Sequence, residues 1–289
     1  MTSPLNNAIR TIVLVALWGL AGAATPHYAW ENRLHGDAIV LLGEVHDNAD
    51  QHRLRLEVLQ RAFAAGWRPA IAMEQFDREH QADIDEARRA RPLDADYLID
   101  QAASGRGMPG SGWNWEFYRP YVALALQYNV PLLAANLSRS DAQKIFEHGY
   151  PAIFDDREVK SLGLDRVPDA LTLAQEQEID VGHCHAMPQE QLPAMAHAQL
   201  ARDAVMAATV REHDADGVVL LAGDGHVRRD IGAARWLDPP IAARVFAVGF
   251  LERGGEAAPQ SAFDAVVMTK RATRPDPCAA LRKHQTNPR

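Results

Sequence analysis

The chain has 289 residues, of which 47% are hydrophobic and 24% are charged, and its formal net charge is −8. This composition is typical of a globular protein with one large core, or with one core and a smaller subdomain. An acidic chain lacks the clustered positive charge that a phosphate backbone requires, which argues against nucleic acid as a partner.

The first 23 residues have the pattern of a secretory signal peptide. A polar start with Arg10 precedes the apolar run Ile12–Leu20 and the small residues Ala21-Gly22-Ala23. The run is shorter than the ~20 apolar residues that span a bilayer, so we expect cleavage after Ala23, or alternatively after Ala24, rather than a membrane anchor. No cysteine lies near this cut, so we expect an exported, periplasmic protein rather than a lipoprotein.

Short apolar runs alternate with longer amphipathic segments along the rest of the chain. The runs predict buried strands at Ala38–Leu42, Pro69–Met73, Val130–Ala135, Gly217–Ala222, Arg244–Leu251 and Ala265–Thr269. The segments between them predict helices at Asp47–Ala65, from Asp77 to about Arg91, and at Trp115–Tyr128, with a loop at Ser104–Gly112.

This alternation predicts an α/β fold, in which a mostly parallel β-sheet is flanked by helices. A smaller helical subdomain is expected within about residues 138–214. We expect the domain to cover residues 30–271, and residues 272–289 to be a disordered tail.

Polar residues follow four of the predicted strands. They are Glu44 and His46, Glu74, Asn136, and His226, and two of these turns repeat the pattern Gly-x-x-His. The carboxyl ends of parallel strands share one edge of the sheet, where open α/β sheets bind their ligands. The set therefore predicts a site, although each residue alone is equally compatible with a helix cap or a solvated loop.

A second candidate cluster is His183-Cys184-His185, whose side chains suit a metal ion or a haem iron. The alternative is a chance cluster in an exposed loop. Gln199 and Asp203 lie four residues apart on the following helix. They either anchor these histidines or, as we favour, form a solvated stripe.

The cysteines Cys184 and Cys278 could form a disulfide in an oxidising compartment. We favour unpaired cysteines, because Cys184 lies between two histidines and Cys278 lies in a proline-rich tail.

Aromatic residues concentrate at Trp113–Tyr118, with Tyr121 nearby. Their helical spacing favours packing in the core. The alternative is a flat wall for a planar ligand such as a porphyrin, with a tyrosine oxygen available to iron. Tyr150 is a further candidate for that oxygen.

The order of these motifs resembles the ChaN family of haem-binding uptake proteins, within the wider Tiki/TraB and erythromycin-esterase-like superfamily. The resemblance covers roughly Ile39 to Leu237. Its motifs are Leu42-Gly43-Glu44-Val45-His46-Asp47, Met73-Glu74-Gln75-Phe76, Trp115-x-x-Tyr118-x-Pro120, Ala134-Ala135-Asn136, His183-Cys184, Gln199-x-x-x-Asp203 and Gly223-Asp224-Gly225-His226-Val227.

The resemblance implies haem-iron binding tied to iron acquisition, with an outer-membrane haem uptake system as a partner. In the studied family member, two haems stack face to face inside a homodimer. Each iron there takes a tyrosine from one subunit, with a histidine contributed by the other. The candidate haem ligands in this chain are therefore Tyr118, Tyr121, Tyr150, His183 and His185. Family members are often lipoproteins, and this chain departs from them in lacking the lipobox cysteine.

In the Tiki branch, the paired Gly-x-x-His motifs are associated with hydrolysis that depends on a divalent metal. By that resemblance, Glu44, His46, Glu74 and His226 match a metal site or an acid/base site. Alternatively, His46 could activate water directly while Glu44 or Glu74 orients it. The leading hypothesis is a haem-binding protein of the periplasm, and the alternative is a metal-dependent or His-dependent hydrolase.

Overall fold

The computed structural model describes residues 27–103, 112–254, 259–276 and 278–279. Its strands are β1 (Ile39–Leu42), β2 (Ala70–Asp77), β3 (Leu132–Asn136), β4 (Val218–Leu221), β5 (Val245–Glu252) and β6 (Ala265–Thr269). They form one parallel sheet in the order β3-β2-β4-β1-β5-β6. The predicted α/β fold is therefore confirmed. The predicted signal peptide, and all of the predicted loop except Gly112, lie outside the described residues.

Helices connect the strands and cover both faces of the sheet. They are α1 (Ala49–Ala64), α2 (Gln81–Ala90), α3 (Ala95–Ala102), α4 (Trp115–Tyr128), α5 (Arg139–His148), α6 (Asp156–Ser161), α7 (Asp169–Gly182), α8 (Leu192–Glu212), α9 (Asp224–Val227) and α10 (Pro239–Ala242). Among the described residues, no helix combines the length and the apolar character needed to cross a bilayer.

The sheet is buried on both faces, and alternate residues of each strand enter two separate cores. On one face, Val40 and Leu42 of β1 pack with Val58 of α1 and Val122 of α4. On the other face, residues such as Leu41 pack against α8. Burial on both sides explains why β1 and β4, and the first four residues of β2 and β3, are apolar at every position instead of alternating.

Strand β2 continues to Asp77, four residues beyond its predicted end at Met73. The Asn136 amide donates to the Glu74 carbonyl at 2.9 Å and holds this extension against β3, although the pairing register shifts between Met73 and Asp77. The charged helix predicted to begin at Asp77 therefore begins at Gln81.

Helices α5 to α8 occupy the region predicted as a helical subdomain. Leu137, Ile145 and Phe154 form a small core with Val205 of α8. Helix α8 is 21 residues long, and it also packs against the sheet through Met206. It therefore joins the small core to the main one.

Cys184 and Cys278 form a disulfide, with 5.6 Å between their Cα atoms. The expectation of unpaired cysteines was therefore wrong. Cys184 follows α7, where both Cys184 and His185 have a positive φ. This left-handed turn reverses the chain after the helix. The sequence alone does not reveal that the turn and the tail meet, because 94 residues separate the two cysteines.

The segment after β6 lies along the end of the sheet. The Arg274 guanidinium donates to Asp47 Oδ1 at 2.7 Å and pairs with Glu252. The Asn48 amide donates to the Lys270 carbonyl at 2.9 Å. The sequence predicts a disordered tail from residue 272, whereas Arg274 of this segment has defined partners. Charged residues predict a solvated tail from composition alone, and only the fold supplies these partners.

Candidate functional site

The carboxyl ends of β1, β2, β3 and β4 border a cavity of about 1030 Å³. This volume is slightly above the range for small-molecule sites, roughly 300–1,000 Å³. Its lining is largely polar and includes His46, Glu74, Gln75, Asn136, His226, Trp113, Arg139, Gln199 and Arg202. The fold thus brings His46, Glu74 and His226 to one cavity at the sheet edge.

The two Gly-x-x-His turns pack against each other, and each glycine makes room for a residue of the other turn. A Cβ on Gly43 would overlap the Asp224 carboxylate, and a Cβ on Gly223 would lie 2.9 Å from His46 Cε1. The Asp224 N–H also donates to the Glu44 carbonyl at 2.9 Å. The repeated glycines are therefore required by close approach between β1 and β4, and neither has a positive φ.

Glu44 lies beneath the cavity and is 2% exposed. Its Oε1 accepts a hydrogen bond from the Tyr118 hydroxyl at 2.5 Å, and its Oε2 pairs with the fully buried Arg55 guanidinium. Arg55 also donates to the Leu42 carbonyl at 2.9 Å. Because a buried charge is stable only with its partners, this cluster fixes Glu44 as an ionised carboxylate.

The His46 imidazole is hydrogen-bonded to Glu44 and lines the cavity. Its Nδ1 lies 2.9 Å from Glu44 Oε1, and its side chain is 48% exposed. A carboxylate accepts hydrogen bonds, so Nδ1 is the ring nitrogen that donates to Glu44, and Nε2 is the ring nitrogen left for a ligand. Trp113 contacts the ring edge to face, with centroids 4.8 Å apart. His46 is thus an oriented imidazole with an available nitrogen.

His52 supports this arrangement from inside the core. Its ring stacks on Phe117 with centroids 4.5 Å apart, and its Nε2 lies 3.0 Å from the His46 carbonyl. Burial lowers the pKa of His52 from 6.5 to about 4. The ring is therefore neutral near pH 7 and donates to the backbone of the turn that carries His46.

Glu74 occupies the centre of the strand ends. Its Oε2 accepts from the Gly223 N–H at 2.7 Å, and its Oε1 lies 3.6 Å from His226 Nε2. Burial would raise the pKa of Glu74, but the charges of His226 and His46 and the bond from Gly223 outweigh burial and lower it. Glu74 is therefore a carboxylate at neutral pH.

His226 forms the second carboxylate–imidazole pair of the cavity. Its Nδ1 lies 2.7 Å from Asp203 Oδ1, and Asp203 is 1% exposed. Burial would lower the pKa of His226, but Asp203 and Glu74 outweigh it and raise the pKa. The solvated stripe that we favoured for Gln199 and Asp203 is thus wrong for Asp203, which orients His226 rather than His183 or His185.

The three candidate tyrosines do not lie at the cavity. Tyr118 and Tyr121 are buried in the main core, where their hydroxyls donate to Glu44 and to the His52 carbonyl. Burial raises the pKa of both hydroxyls. Tyr150 packs in the helical subdomain, with its ring 5.3 Å from the His197 ring. None of the three is among the described residues that line the cavity.

His183 and His185 lie in the disulfide-bonded turn after α7. His183 Nδ1 contacts the Ile179 carbonyl at 2.8 Å, and His185 Nδ1 lies 2.7 Å from Asp180 Oδ2. Neither lines the cavity in the described part of the chain. The structure therefore separates this cluster from the strand-end residues.

The predicted metal quartet is divided between two hydrogen-bonded groups. Glu44 is bound to Tyr118 and Arg55, whereas Glu74 is bound to the Gly223 N–H. Within the described ranges, no group of three or more His, Cys, Asp or Glu side chains could hold a metal ion. The geometry gives the divalent-metal alternative no support.

Three arginines of the site, Arg55, Arg139 and Arg202, were not predicted from the sequence. Arg55 lies on the buried face of α1 with Val58 and Leu59, and an arginine on an apolar helix face is a detectable signal of a buried partner. Arg202 adjoins Asp203 on α8, but its position at the cavity depends on how α8 crosses the sheet. That crossing cannot be derived from local sequence.

The family model for haem-binding uptake, Tiki superfamily, ChaN, matches residues 30–237. The chain therefore belongs to this family, and the resemblance drawn from its motifs is confirmed. Comparison with curated protein sequences finds no significant match.

Among solved structures, the chain is similar to one described as cofacial heme binding to ChaN of Campylobacter jejuni. The two are 20% identical, the match covers 81% of this chain and 88% of that one, and the TM-score is 0.62. The type III effector HopBA1 is 12% identical over 81% of this chain and 88% of its own, with a TM-score of 0.41. Erythromycin esterase EreC is 12% identical over 78% and 74%, with a TM-score of 0.38. The first likeness supports the fold, and the other two are too distant to carry an argument.

Proposed function

We propose that this protein binds haem in the strand-end cavity, with His46 Nε2 as an iron ligand. The observation that carries the proposal is the half-exposed imidazole whose Nδ1 is held by Glu44. An imidazole oriented by a carboxylate through its other nitrogen is the usual arrangement of a metal-ligating histidine. The bound haem would supply the iron, and this chain supplies a nitrogen lone pair at a fixed position.

The surroundings of His46 fit a planar, anionic ligand. Trp113 provides an aromatic wall beside the imidazole, and Arg139 and Arg202 bring positive charge to the same cavity. The candidate tyrosines are less suitable as iron ligands, because Tyr118 and Tyr121 would have to leave the core to reach an iron. We therefore favour histidine over tyrosine as the ligand from this chain.

The test is a hemin titration of the apo protein, followed by absorbance. We expect a Soret band that saturates with hemin in the wild type and in His148→Ala, whose side chain is 69% exposed and is not among the described residues that line this cavity. In His46→Ala the affinity falls at least about tenfold, the loss typical when a metal ligand or its support is removed. Equal affinity in the two variants would contradict the proposal.

We further propose that haem joins two copies of the chain and that the protein acts in haem or iron trafficking in the periplasm. The similar structure of Campylobacter jejuni ChaN, described as cofacial heme binding, supports the first part. The Cys184–Cys278 disulfide supports an oxidising compartment. Light scattering should give a doubled mass with hemin, and cell fractionation should recover the protein with periplasmic markers. An outer-membrane haem uptake system is the expected partner.

A second candidate function is a His-dependent hydrolase, favoured by the Asp203–His226 pair beside Glu74. A buried carboxylate that orients a histidine is a common arrangement for a general base. His226→Ala and Asp203→Asn should then abolish turnover on a panel of esters and peptides. If the wild type shows no turnover, or if both variants turn over the substrates like the wild type, this candidate function is eliminated.

A further inference from the structure

Arg202 is a largely buried cation in the wall of the cavity. Its Nη1 donates to Asn136 Oδ1 at 2.7 Å and to the Leu137 carbonyl at 2.8 Å. Both acceptors belong to the end of β3, so they fix the guanidinium at the sheet edge. Neither acceptor is ionised, and a planar guanidinium has five N–H groups that suit a carboxylate.

The start of α5 borders the same part of the cavity. Ser138, Arg139 and Ser140 all line it, and the Ser138 side chain caps the helix by accepting from the Asp141 N–H at 3.2 Å. The first N–H groups of a helix have no partner within the helix and attract anions. Arg139 is exposed at this end and adds a second positive charge.

Gln75 provides an independent sign that the cavity takes a polar ligand. It lines the cavity and is 2% exposed. Its amide lies beside the Tyr118 hydroxyl, but neither its oxygen nor its nitrogen has a well-formed hydrogen bond in the described part of the chain. A buried amide without hydrogen-bond partners destabilises the folded state. A polar group of a ligand that bonded to it would remove this loss of free energy.

Three carboxylates, those of Glu74, Asp77 and Asp203, act on the Arg202 charge, and Arg139 is a second cation beside it. Glu74 is held by Gly223 and faces His226, and Asp203 is bonded to His226, so Asp77 is the carboxylate left to oppose the two arginines. Glu79 lies at the rim. The cationic groups Arg202 and Arg139 cluster toward β3 and α5. An anionic ligand would therefore be oriented, with its charged end at Arg202 and away from Glu79.

We propose that Arg202, Arg139 and the start of α5 form a carboxylate-binding subsite that receives a propionate of haem. This inference rests on the proposed haem function and names the groups of the chain that orient the ligand. Iron ligation at His46 and carboxylate recognition at Arg202 are then two separate contacts with one molecule. They can be broken independently.

The experiment compares hemin with hemin dimethyl ester, in which both propionates are neutral. Dissociation constants for each are measured in the wild type, Arg202→Gln, Arg139→Gln and the control Arg211→Gln. Arg211 lies on the same helix but outside this cavity, where it donates to the Trp236 and Ser161 carbonyls. Arg139 is exposed, so its variant keeps the test valid if Arg202→Gln proves unstable.

We expect the wild type and Arg211→Gln to bind hemin at least about tenfold more tightly than the diester, because a charge-assisted hydrogen bond is lost with the ester. In Arg202→Gln and Arg139→Gln, we expect the ratio of the two dissociation constants (diester to hemin) to fall toward one. The affinity for the diester stays unchanged. An undiminished preference in both variants overturns the subsite but leaves haem binding intact. If neither compound gives a Soret band with the wild type, the proposed function itself fails.

Discussion

Gly223 lies directly against the imidazole of His46, close enough that a methyl group on Gly223 would be 2.9 Å from His46 Cε1. The two residues belong to different Gly-x-x-His turns, separated along the chain by most of the domain. The glycine of one turn thus sets the position of the histidine of the other. This contact explains why the two Gly-x-x-His turns, which are far apart in the sequence, form one site in the folded chain.

Gly223→Ala should displace His46 and lower hemin affinity at least about tenfold. The φ of Gly223 is −59°, so alanine suits the backbone, but its methyl group must displace the His46 ring, and we expect a loss of about 1–3 kcal/mol of unfolding free energy. Gly225→Ala is the matched control, because its Cβ would meet nothing within 4 Å. Hemin titration and urea unfolding measure the two effects. Equal hemin affinity in the two variants would show that Gly223 does not position His46.

Tyr118→Phe should reduce stability and leave the haem spectrum unchanged. The substitution removes the hydroxyl that donates to the buried Glu44 carboxylate, which costs about 1–3 kcal/mol of unfolding free energy. Urea unfolding measures the loss, and the Soret band of the hemin complex reports the ligand. Loss of the band, with the fold intact by circular dichroism, would identify Tyr118 as an iron ligand and contradict our assignment.

Asp224 should make the protein less stable as the pH rises. Burial raises the pKa of Asp224 from 3.8 to about 7, so the folded state holds this proton longer than the unfolded state does. The preference of the folded state for the protonated Asp224 carboxyl adds about 4 kcal/mol to the free energy of unfolding below pH 4. This stabilisation is lost as the pH rises through 7. The neighbouring charges of Arg55, His46 and Glu252 are the same in Asp224→Asn.

Asp224→Asn keeps an oxygen for the Phe250 N–H, which binds Asp224 Oδ1 at 3.0 Å. Urea unfolding should therefore show the variant gaining stability relative to the wild type between pH 5 and pH 8. A difference between the two proteins that does not vary with pH would show that Asp224 titrates normally.

Reduction of the disulfide should destabilise the protein. The bond closes a loop of 94 residues, and loop entropy in the unfolded chain predicts a loss of about 4–5 kcal/mol, an upper value since native strain reduces it. Thermal unfolding with and without dithiothreitol measures this loss. Cys184→Ser/Cys278→Ser is the control, which should melt like the reduced wild type. An unchanged melting temperature on reduction would show that the two cysteines are unpaired in solution.

The sequence predicts the sheet well because β1 and β4, and the first four residues of β2 and β3, are buried and apolar throughout. The convergence of His46, Glu74 and His226 follows from strand direction alone, since parallel strands end at one edge. The partners of these residues do not follow. Asp203 reaches His226 from α8, and Arg55 reaches Glu44 from within the core. Both contacts depend on how helices pack on the sheet, as does the pairing of Cys184 with Cys278.

The most direct test of the account is whether His46 itself ligates the iron. His46→Gly is mixed with hemin, with and without free imidazole, and the protein recovered by gel filtration is examined for its Soret band. We predict that the variant has lost the wild-type band and that imidazole restores it by replacing the missing side chain. A variant that keeps the wild-type band without imidazole would show that the iron is held elsewhere.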